Sequence, residues 1–123
     1  MSARILVIDD DPNVLQLVVY LLRKDGYDVD SAPEPEAALE LARANVPDLV
    51  ISDILMPGRG GLETMMELKR QNPAVKIIAM SGATGVQGDG VLRMARMVGA
   101  DEVLRKPFRP GALSALVTDL VSR

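Results

Sequence analysis

The stretch "RILVIDDDPNV", residues 4–14, is the starting point for interpreting this chain. Four apolar residues, 5–8, run directly into three aspartates, Asp9, Asp10 and Asp11. A short, continuous apolar run is typical of a strand that is buried on both faces of a parallel sheet. Like charges placed side by side oppose each other's ionisation. Three carboxylates at the end of a buried strand therefore need a physical reason.

Strand and helix patterns alternate along the rest of the chain. Apolar runs predict strands at residues 4–8, 27–31, 47–53, 74–82 and 101–107. Apolar residues at helical spacing predict five helices, two of them over residues 34–44 and 61–71 and the others starting near residues 14, 91 and 113. In the first of these helices, Pro12 lies in the first turn and Gly26 is the C-terminal cap. This order predicts an α/β fold, a flavodoxin-like (βα)5 doubly wound parallel sheet with strand order 2-1-3-4-5. We expect one domain over residues 1–123.

The composition limits the chemistry that the chain can support. Its 123 residues include no cysteine and no histidine, so disulfides, thiol chemistry and nitrogen or sulfur metal sites are excluded. Any metal must be bound by oxygen, which favours a hard cation such as Mg²⁺. A net charge of −3 and only three aromatic residues argue against direct binding of nucleic acid. We find no apolar run of membrane-spanning length and no signal peptide, and therefore expect a cytoplasmic location.

The predicted topology gives the aspartates a role. Asp9 and Asp10 follow the first strand and Asp53 ends the third, and these strands are neighbours in the predicted sheet. Three carboxylates that converge in one pocket repel each other unless a cation lies among them. The trio is therefore interpreted as a Mg²⁺ site with room for a phosphoryl group.

Two further side chains are predicted to face this pocket, because they follow the fourth and fifth strands. They are Ser81 and Lys106, a hydroxyl and an ammonium group suited to phosphoryl oxygens. The bond from Lys106 to Pro107 is a candidate cis peptide. Without histidine or cysteine, a carboxylate is the best nucleophile available.

Several motifs together resemble the receiver domain of two-component response regulators, including the chemotaxis regulators. They are "ILVIDDDP" (5–12), "PDLVISDILMPGRGGLE" (47–63), "IIAMSG" (77–82), "GADEVLRKPF" (99–108) and the closing amphipathic helix. The resemblance covers essentially the whole chain, and its motifs are specific at these spacings. It implies a signalling module that is phosphorylated by a partner, not an enzyme that turns over a separate substrate.

The resemblance also implies a role for each site residue. Asp53 is the implied phosphoacceptor, and Asp9, Asp10, Asp53 and the backbone carbonyl of Leu55 are the implied Mg²⁺ ligands. Ser81 is expected to hydrogen-bond the phosphoryl group and Lys106 to form an ion pair with it. The donor is expected to be a histidine kinase or a histidine phosphotransfer protein, because this chain has no histidine of its own.

The sequence departs from the family pattern at its signalling face. Leu104 occupies the place, two residues before the lysine, where many receivers carry an aromatic switch residue. The segment 82–90 is rich in glycine, so we expect the signal to be read by movement of this segment and of the fourth helix. Four arginines give the helix 4–strand 5–helix 5 region a basic surface that a downstream protein could contact: Arg93, Arg96, Arg105 and Arg109.

Simpler explanations and other functions account for these residues less well. The aspartates could only cap the first helix, a role that we assign to Asp11 alone. A Mg²⁺-dependent phosphohydrolase with an aspartyl-phosphate intermediate is disfavoured, since no second acid stands out and 123 residues leave no room for a cap domain. A flavin-binding module is rejected, because Asp-Asp-Asp-Pro replaces the small-residue phosphate loop after the first strand. Whether the receiver stands alone or precedes a DNA-binding output domain stays open.

Overall fold

The structure is a computed structural model that describes residues 3–54, 60–82 and 85–122, apart from the side chains of 85–88. Strands and helices alternate through these residues. The strands are β1 (Arg4–Ile8), β2 (Asp28–Ala32), β3 (Leu49–Asp53), β4 (Lys76–Ser81) and β5 (Glu102–Arg105). The helices are α1 (Pro12–Lys24), α2 (Pro35–Ala44), α3 (Gly61–Gln71), α4 (Gly85–Met97) and α5 (Pro110–Val121).

All the strand pairs are parallel, and the sheet has the order β2-β1-β3-β4-β5. This confirms the predicted fold class. In the register of the central strands, Ile8 pairs with Ser52 and Asp53 pairs with Met80. The carboxyl ends of β1, β3 and β4 therefore lie together at one edge of the sheet, where parallel α/β folds bind ligands.

The apolar run of β1 is explained by a core on each side of the sheet. Leu6 and Ile8 pack in a cluster with residues of α2, α3 and α4, while Ile5 and Val7 pack in a second cluster with residues of α1 and α5. Because side chains alternate across a strand, every residue of the run is buried by one helical layer or the other.

The ends of α1 follow the sequence signals. The carboxylate of Asp11 accepts a hydrogen bond of 2.9 Å from the backbone N–H of Asn13, so Asp11 is the N-cap, as predicted. Gly26 follows the helix with a φ of 92°, and its N–H donates to the carbonyl of Arg23. Glycine adopts this left-handed conformation without a steric penalty, which confirms its predicted role as the cap.

Other predictions about the helices are wrong. Helix α4 begins at Gly85 rather than near residue 91, so most of the predicted glycine-rich loop is helical. The apolar spacing of the predicted helices also predicts Met66 and Met94 to be core residues, but they are 54% and 53% exposed. Each is the direct neighbour of a buried residue, Met65 or Ala95, and a step of one residue turns a helical side chain away from the buried face. Among the residues that the structure describes, no helix has the length and apolar character needed to span a membrane.

Candidate functional site

Asp9 and Asp53 lie at the carboxyl ends of two adjacent strands. Asp9 follows β1 directly and is fully buried, and its Oδ1 accepts a hydrogen bond of 2.9 Å from the N–H of Asp11. Asp53 is the last residue of β3 and is also buried. Asp10 is exposed, yet one carboxylate oxygen from each of the three residues lies within 4.8 Å of the others. The structure thus brings together the trio that the topology predicted.

Lys106 enters the same cluster from the end of β5. Its Nζ lies 2.6 Å from Oδ2 of Asp9 and 3.0 Å from Oδ2 of Asp53, and it donates a hydrogen bond to the latter. Its backbone N–H donates to the carbonyl of Ser81 at 2.8 Å, and its peptide bond to Pro107 is cis. The ammonium group therefore bridges two buried carboxylates, a contact that the strand pattern alone did not specify.

The charges of the cluster shift the pKa values of two of its members. Burial raises the pKa of the Asp9 carboxyl above its ordinary value, and Lys106 and the N–H of Asp11 offset only part of this effect. Burial by itself would lower the pKa of Lys106, but its close contacts with the Asp9 and Asp53 carboxylates outweigh this and raise the pKa. Lys106 is consequently cationic throughout the neutral range, while the charge on Asp9 is costly.

Ser81 and Leu55 complete the predicted set. Ser81 is the last residue of β4 and is fully buried at the same edge of the sheet as Asp53. It follows Met80, the residue that pairs with Asp53 in the register. Leu55, the predicted carbonyl ligand, lies outside the described residues. Five of the six predicted site residues are therefore placed at one edge of the sheet.

One close contact near the site was missed by the sequence analysis. The first residue of α3, Gly61, lies against the backbone of Ile54, which directly follows Asp53. From the sequence, the two adjacent glycines Gly60 and Gly61 predict only a tight entry to the helix. The signal that could have identified the contact is a second glycine, inside the first turn of the helix, where the low helix propensity of glycine calls for another reason.

The family of the chain follows from comparison with known proteins. Residues 5–118 match the family described as "Response regulator receiver domain". The chain belongs to this family. Among its relatives, the receiver domain is 34% identical over 123 residues to the alkaline phosphatase synthesis transcriptional regulatory protein PhoP of Bacillus subtilis. That match covers 100% of this chain and 50% of PhoP, so this receiver spans about half the length of the relative.

Solved structures support the same assignment of the fold. The chemotaxis protein CheY4 of Vibrio cholerae superposes with a TM-score of 0.87 at 28% identity, over 98% of this chain and 99% of the other. A receiver domain described as BeF3-activated DrrB superposes with a TM-score of 0.89 at 27% identity, over the whole of both chains. This chain is thus a receiver domain of the two-component type in both sequence and fold.

The acidic cluster of the receiver domain is suited to a divalent cation. Its ligand atoms are all carboxylate oxygens, the type that Mg²⁺ prefers. Among the described residues, the fully buried Oδ2 of Asp9 accepts no well-aligned hydrogen bond, and its short contact with Lys106 is an ion pair of poor geometry. Three carboxylates, two of them buried, against one ammonium group leave excess negative charge, which a cation would neutralise.

Proposed function

We propose that this receiver domain accepts a phosphoryl group on Asp53, with Mg²⁺ bound beside it, and passes on the signal by a change of conformation. The observation that carries the proposal is the environment of Asp53. Its carboxylate is buried, lies 3.0 Å from the Lys106 ammonium and shares the pocket with Asp9 and Asp10. A buried carboxylate with a cation beside it, and with acidic neighbours that can hold a second cation, is arranged for attack on phosphorus rather than for solvation.

The reaction needs little more than correct positions and charge neutralisation. A carboxylate oxygen of Asp53 forms the new O–P bond, and the bond from phosphorus to a histidine nitrogen of the donor protein breaks. Lys106 neutralises charge on the acyl phosphate, and the Ser81 hydroxyl donates a hydrogen bond to it. Asp9, Asp10, Asp53 and the Leu55 carbonyl would hold Mg²⁺, which supplies further positive charge for the phosphoryl oxygens.

The direct test is intact-mass spectrometry of the wild-type protein after incubation with Mg²⁺ and a small acyl phosphate. One added phosphoryl group is expected, dependent on Mg²⁺ and lost in hydroxylamine, which cleaves acyl phosphates. A hydroxylamine-resistant adduct, as on a serine, would contradict the proposal. Release of product from a free phosphate ester in many turnovers would instead support a phosphohydrolase.

The proposed cation site predicts that Asp9→Asn has opposite effects on stability in the absence and in the presence of Mg²⁺. Because the folded pKa of Asp9 is raised, its contribution to stability is fully present below its ordinary pKa of 3.8 and is lost as pH rises through the folded value. Asp9→Asn is therefore expected to stabilise the Mg²⁺-free protein near neutral pH, because it removes a costly buried charge while Lys106 keeps Asp53 as its ionic partner. Wild type, but not the variant, should gain about 2.7 kcal/mol when Mg²⁺ reaches one hundred times its dissociation constant.

Asp11→Asn is the matched control for this prediction. Asp11 lies two residues away, is exposed and caps α1, a role that asparagine fills equally well. Thermal unfolding followed by circular dichroism, with chelator and with Mg²⁺, measures all three proteins. If Asp9→Asn gained as much stability from Mg²⁺ as the control, Asp9 would not be a ligand.

The signal is expected to leave the site through α4 and β5. Ion pairs join these elements, from Arg96 to Glu102 at 3.3 Å and from Arg105 to Asp89. Leu104 is buried in β5, where an aromatic switch residue is often found, so the response should come from α4 rather than from a rotating ring. Glycines in the first turns of α4 weaken that part of the helix, which supports the proposed movement.

The partners follow from the chemistry of the site. The donor is a histidine kinase or a histidine phosphotransfer protein, and the downstream partner contacts the surface of α4, β5 and α5. Two of the four arginines on this surface, Arg96 and Arg105, are already paired with acidic residues of the same chain. The basic character available to a partner therefore rests mainly on Arg93 and Arg109, which are exposed.

The proposed setting is a single receiver domain, over residues 1–123, that acts in the cytoplasm.

A further inference from the structure

The start of α3 lies unusually close to the backbone that follows Asp53. A Cβ atom added to Gly61 would lie 2.3 Å from Cα of Ile54 and 2.7 Å from its carbonyl carbon and oxygen. Carbon atoms normally approach to about 3.5–4.0 Å. Only glycine allows the helix to begin this close to β3, and the atoms that it contacts are backbone atoms, which no change of rotamer can move aside.

Both sides of the contact are held in place. The N–H of Ile54 donates to the carbonyl of Met80 at 3.0 Å, which ties it to β4. On the helix side, the carbonyl of Gly60 accepts two hydrogen bonds from Thr64, from its backbone N–H at 3.1 Å and from its hydroxyl at 3.0 Å. Thr64 is itself fully buried. A collision at Gly61 would therefore displace these backbones instead of being absorbed by a loose segment.

We propose that Gly61 is a positioning residue for phosphoryl transfer. By seating α3 directly on Ile54, it fixes the end of β3 and so holds the Asp53 carboxylate 3.0 Å from Nζ of Lys106. This inference rests on the proposed function of Asp53. Gly61 contacts no reacting atom itself, and it acts through the backbone between Ile54 and the acceptor.

Alanine at this place would push the two backbones apart by about 1 Å, the distance needed to restore an ordinary carbon contact. A misplacement of about 1 Å at a reacting group is enough to lower a rate by about 100-fold. The acidic ligands would be displaced as well, because Asp53 belongs both to the acceptor and to the cation cluster. The expected signature is therefore a lower rate of phosphorylation together with a weaker affinity for Mg²⁺.

The adjacent glycine provides a matched control. A Cβ atom added to Gly60 would meet only the flexible end of the Glu63 side chain, at 3.9 Å, and its φ of −64° suits any residue. Gly60→Ala and Gly61→Ala make the same chemical change one residue apart in the same turn. A role limited to helix formation would weaken Gly60→Ala more, because Gly60 is the N-cap, where glycine is favoured over alanine. A positioning role affects Gly61→Ala alone.

The experiment measures Mg²⁺ affinity by isothermal titration and the rate of acyl-phosphate labelling at saturating Mg²⁺. Both are compared for wild type, Gly60→Ala and Gly61→Ala, below the unfolding temperature of each protein. We expect Gly61→Ala to label about 100-fold more slowly and to bind Mg²⁺ at least about ten-fold more weakly, with Gly60→Ala close to wild type. Wild-type values in Gly61→Ala would overturn the inference and leave the proposed function intact. If no protein is labelled, that result counts against the proposed function alone. The Mg²⁺ affinities of the three proteins then still show whether Gly61 positions the acidic cluster.

Further variants of α3 distinguish a positioning role of Gly61 from a general loss of stability. Leu68→Ala removes a buried side chain of α3 two turns away from Gly61 and destabilises the same helix. If its folded form labelled as slowly as Gly61→Ala, a general effect of stability would explain the result and the inference would fail. Should Gly61→Ala not fold, Thr64→Val removes the hydroxyl bond to Gly60 and Thr64→Ser keeps it. Slower labelling of Thr64→Val alone is then expected, and equal rates for the pair would overturn the inference.

Discussion

Replacing Asp53 with asparagine is expected to abolish phosphoryl uptake from an acyl phosphate while the protein stays folded. Asparagine has nearly the same size and shape, but its amide has no anionic oxygen to attack phosphorus. The Lys106 ammonium keeps Asp9 as an ionic partner, at 2.6 Å, so the substitution does not leave a buried charge alone. Intact mass after incubation with Mg²⁺ and donor, on wild type and variant side by side, measures the effect.

A second aspartate serves as the control for this substitution. Asp48 directly precedes the same strand but lies at its opposite end, where its carboxylate accepts a hydrogen bond of 2.8 Å from the N–H of Arg4. The amide oxygen of asparagine can accept the same bond. Asp48→Asn should therefore be labelled like wild type. A phosphoryl group on Asp53→Asn, mapped to a different carboxylate, would move the acceptor elsewhere in the cluster and contradict the assignment of Asp53.

Most of the fold could be predicted because one strong signal recurs along the chain. The run from Ile5 to Ile8 is apolar at every position, and this is only possible where helices cover both faces of the sheet. Once the strands are parallel and the crossovers right-handed, few topologies remain. The convergence of Asp9 and Asp53 then follows from strand order alone, without knowledge of any side-chain conformation.

The parts that could not be predicted depend on contacts at atomic distance. Nothing in the spacing of residues shows that Lys106 reaches Asp9 at 2.6 Å, since a lysine at the end of a strand can equally extend into solvent. The approach of Gly61 to Ile54 is a matter of how closely two backbones pack. The start of α4 was missed because glycine has a low helix propensity, so a segment with three glycines in its first six residues gives little helical signal.

Removing the ammonium group of Lys106 is expected to destabilise the Mg²⁺-free receiver by about 3 kcal/mol near neutral pH. Its side chain is only 17% exposed, and it compensates the charges of Asp9 and Asp53, both buried. Lys106→Met keeps much of the apolar stem and deletes the charge. Labelling of Asp53 should remain possible, because the nucleophile and the acidic trio are retained, but the response of α4 and β5 should weaken.

The pH dependence of this loss identifies its cause. Lys106 lowers the pKa of Asp9 in the wild type, so without Lys106 the Asp9 carboxyl has a still higher folded pKa. A raised carboxyl pKa opposes folding only when the group is ionised, and the deficit should therefore shrink as pH falls through that folded value towards 3.8. Urea unfolding followed by circular dichroism at neutral and at mildly acidic pH measures the difference. A deficit of the same size at both pH values would indicate lost packing instead of an uncompensated charge.

Lys106→Met also tests whether the lysine ammonium and Mg²⁺ compete for the same carboxylate oxygens. The Lys106 ammonium contacts Oδ2 of both Asp9 and Asp53, which belong to the proposed cation cluster. Without the ammonium group, Mg²⁺ has no competitor for these oxygens and neutralises more uncompensated charge. Lys106→Met should therefore bind Mg²⁺ more tightly than wild type. Binding of Mg²⁺ should also restore part of the stability that the variant has lost. Lys24→Met, at the exposed last turn of α1, should change stability by less than about 1 kcal/mol and leave Mg²⁺ affinity unaltered. Weaker Mg²⁺ binding in Lys106→Met would mean that the lysine organises the carboxylates for the metal, and the view of Lys106 as a competing cation would be wrong.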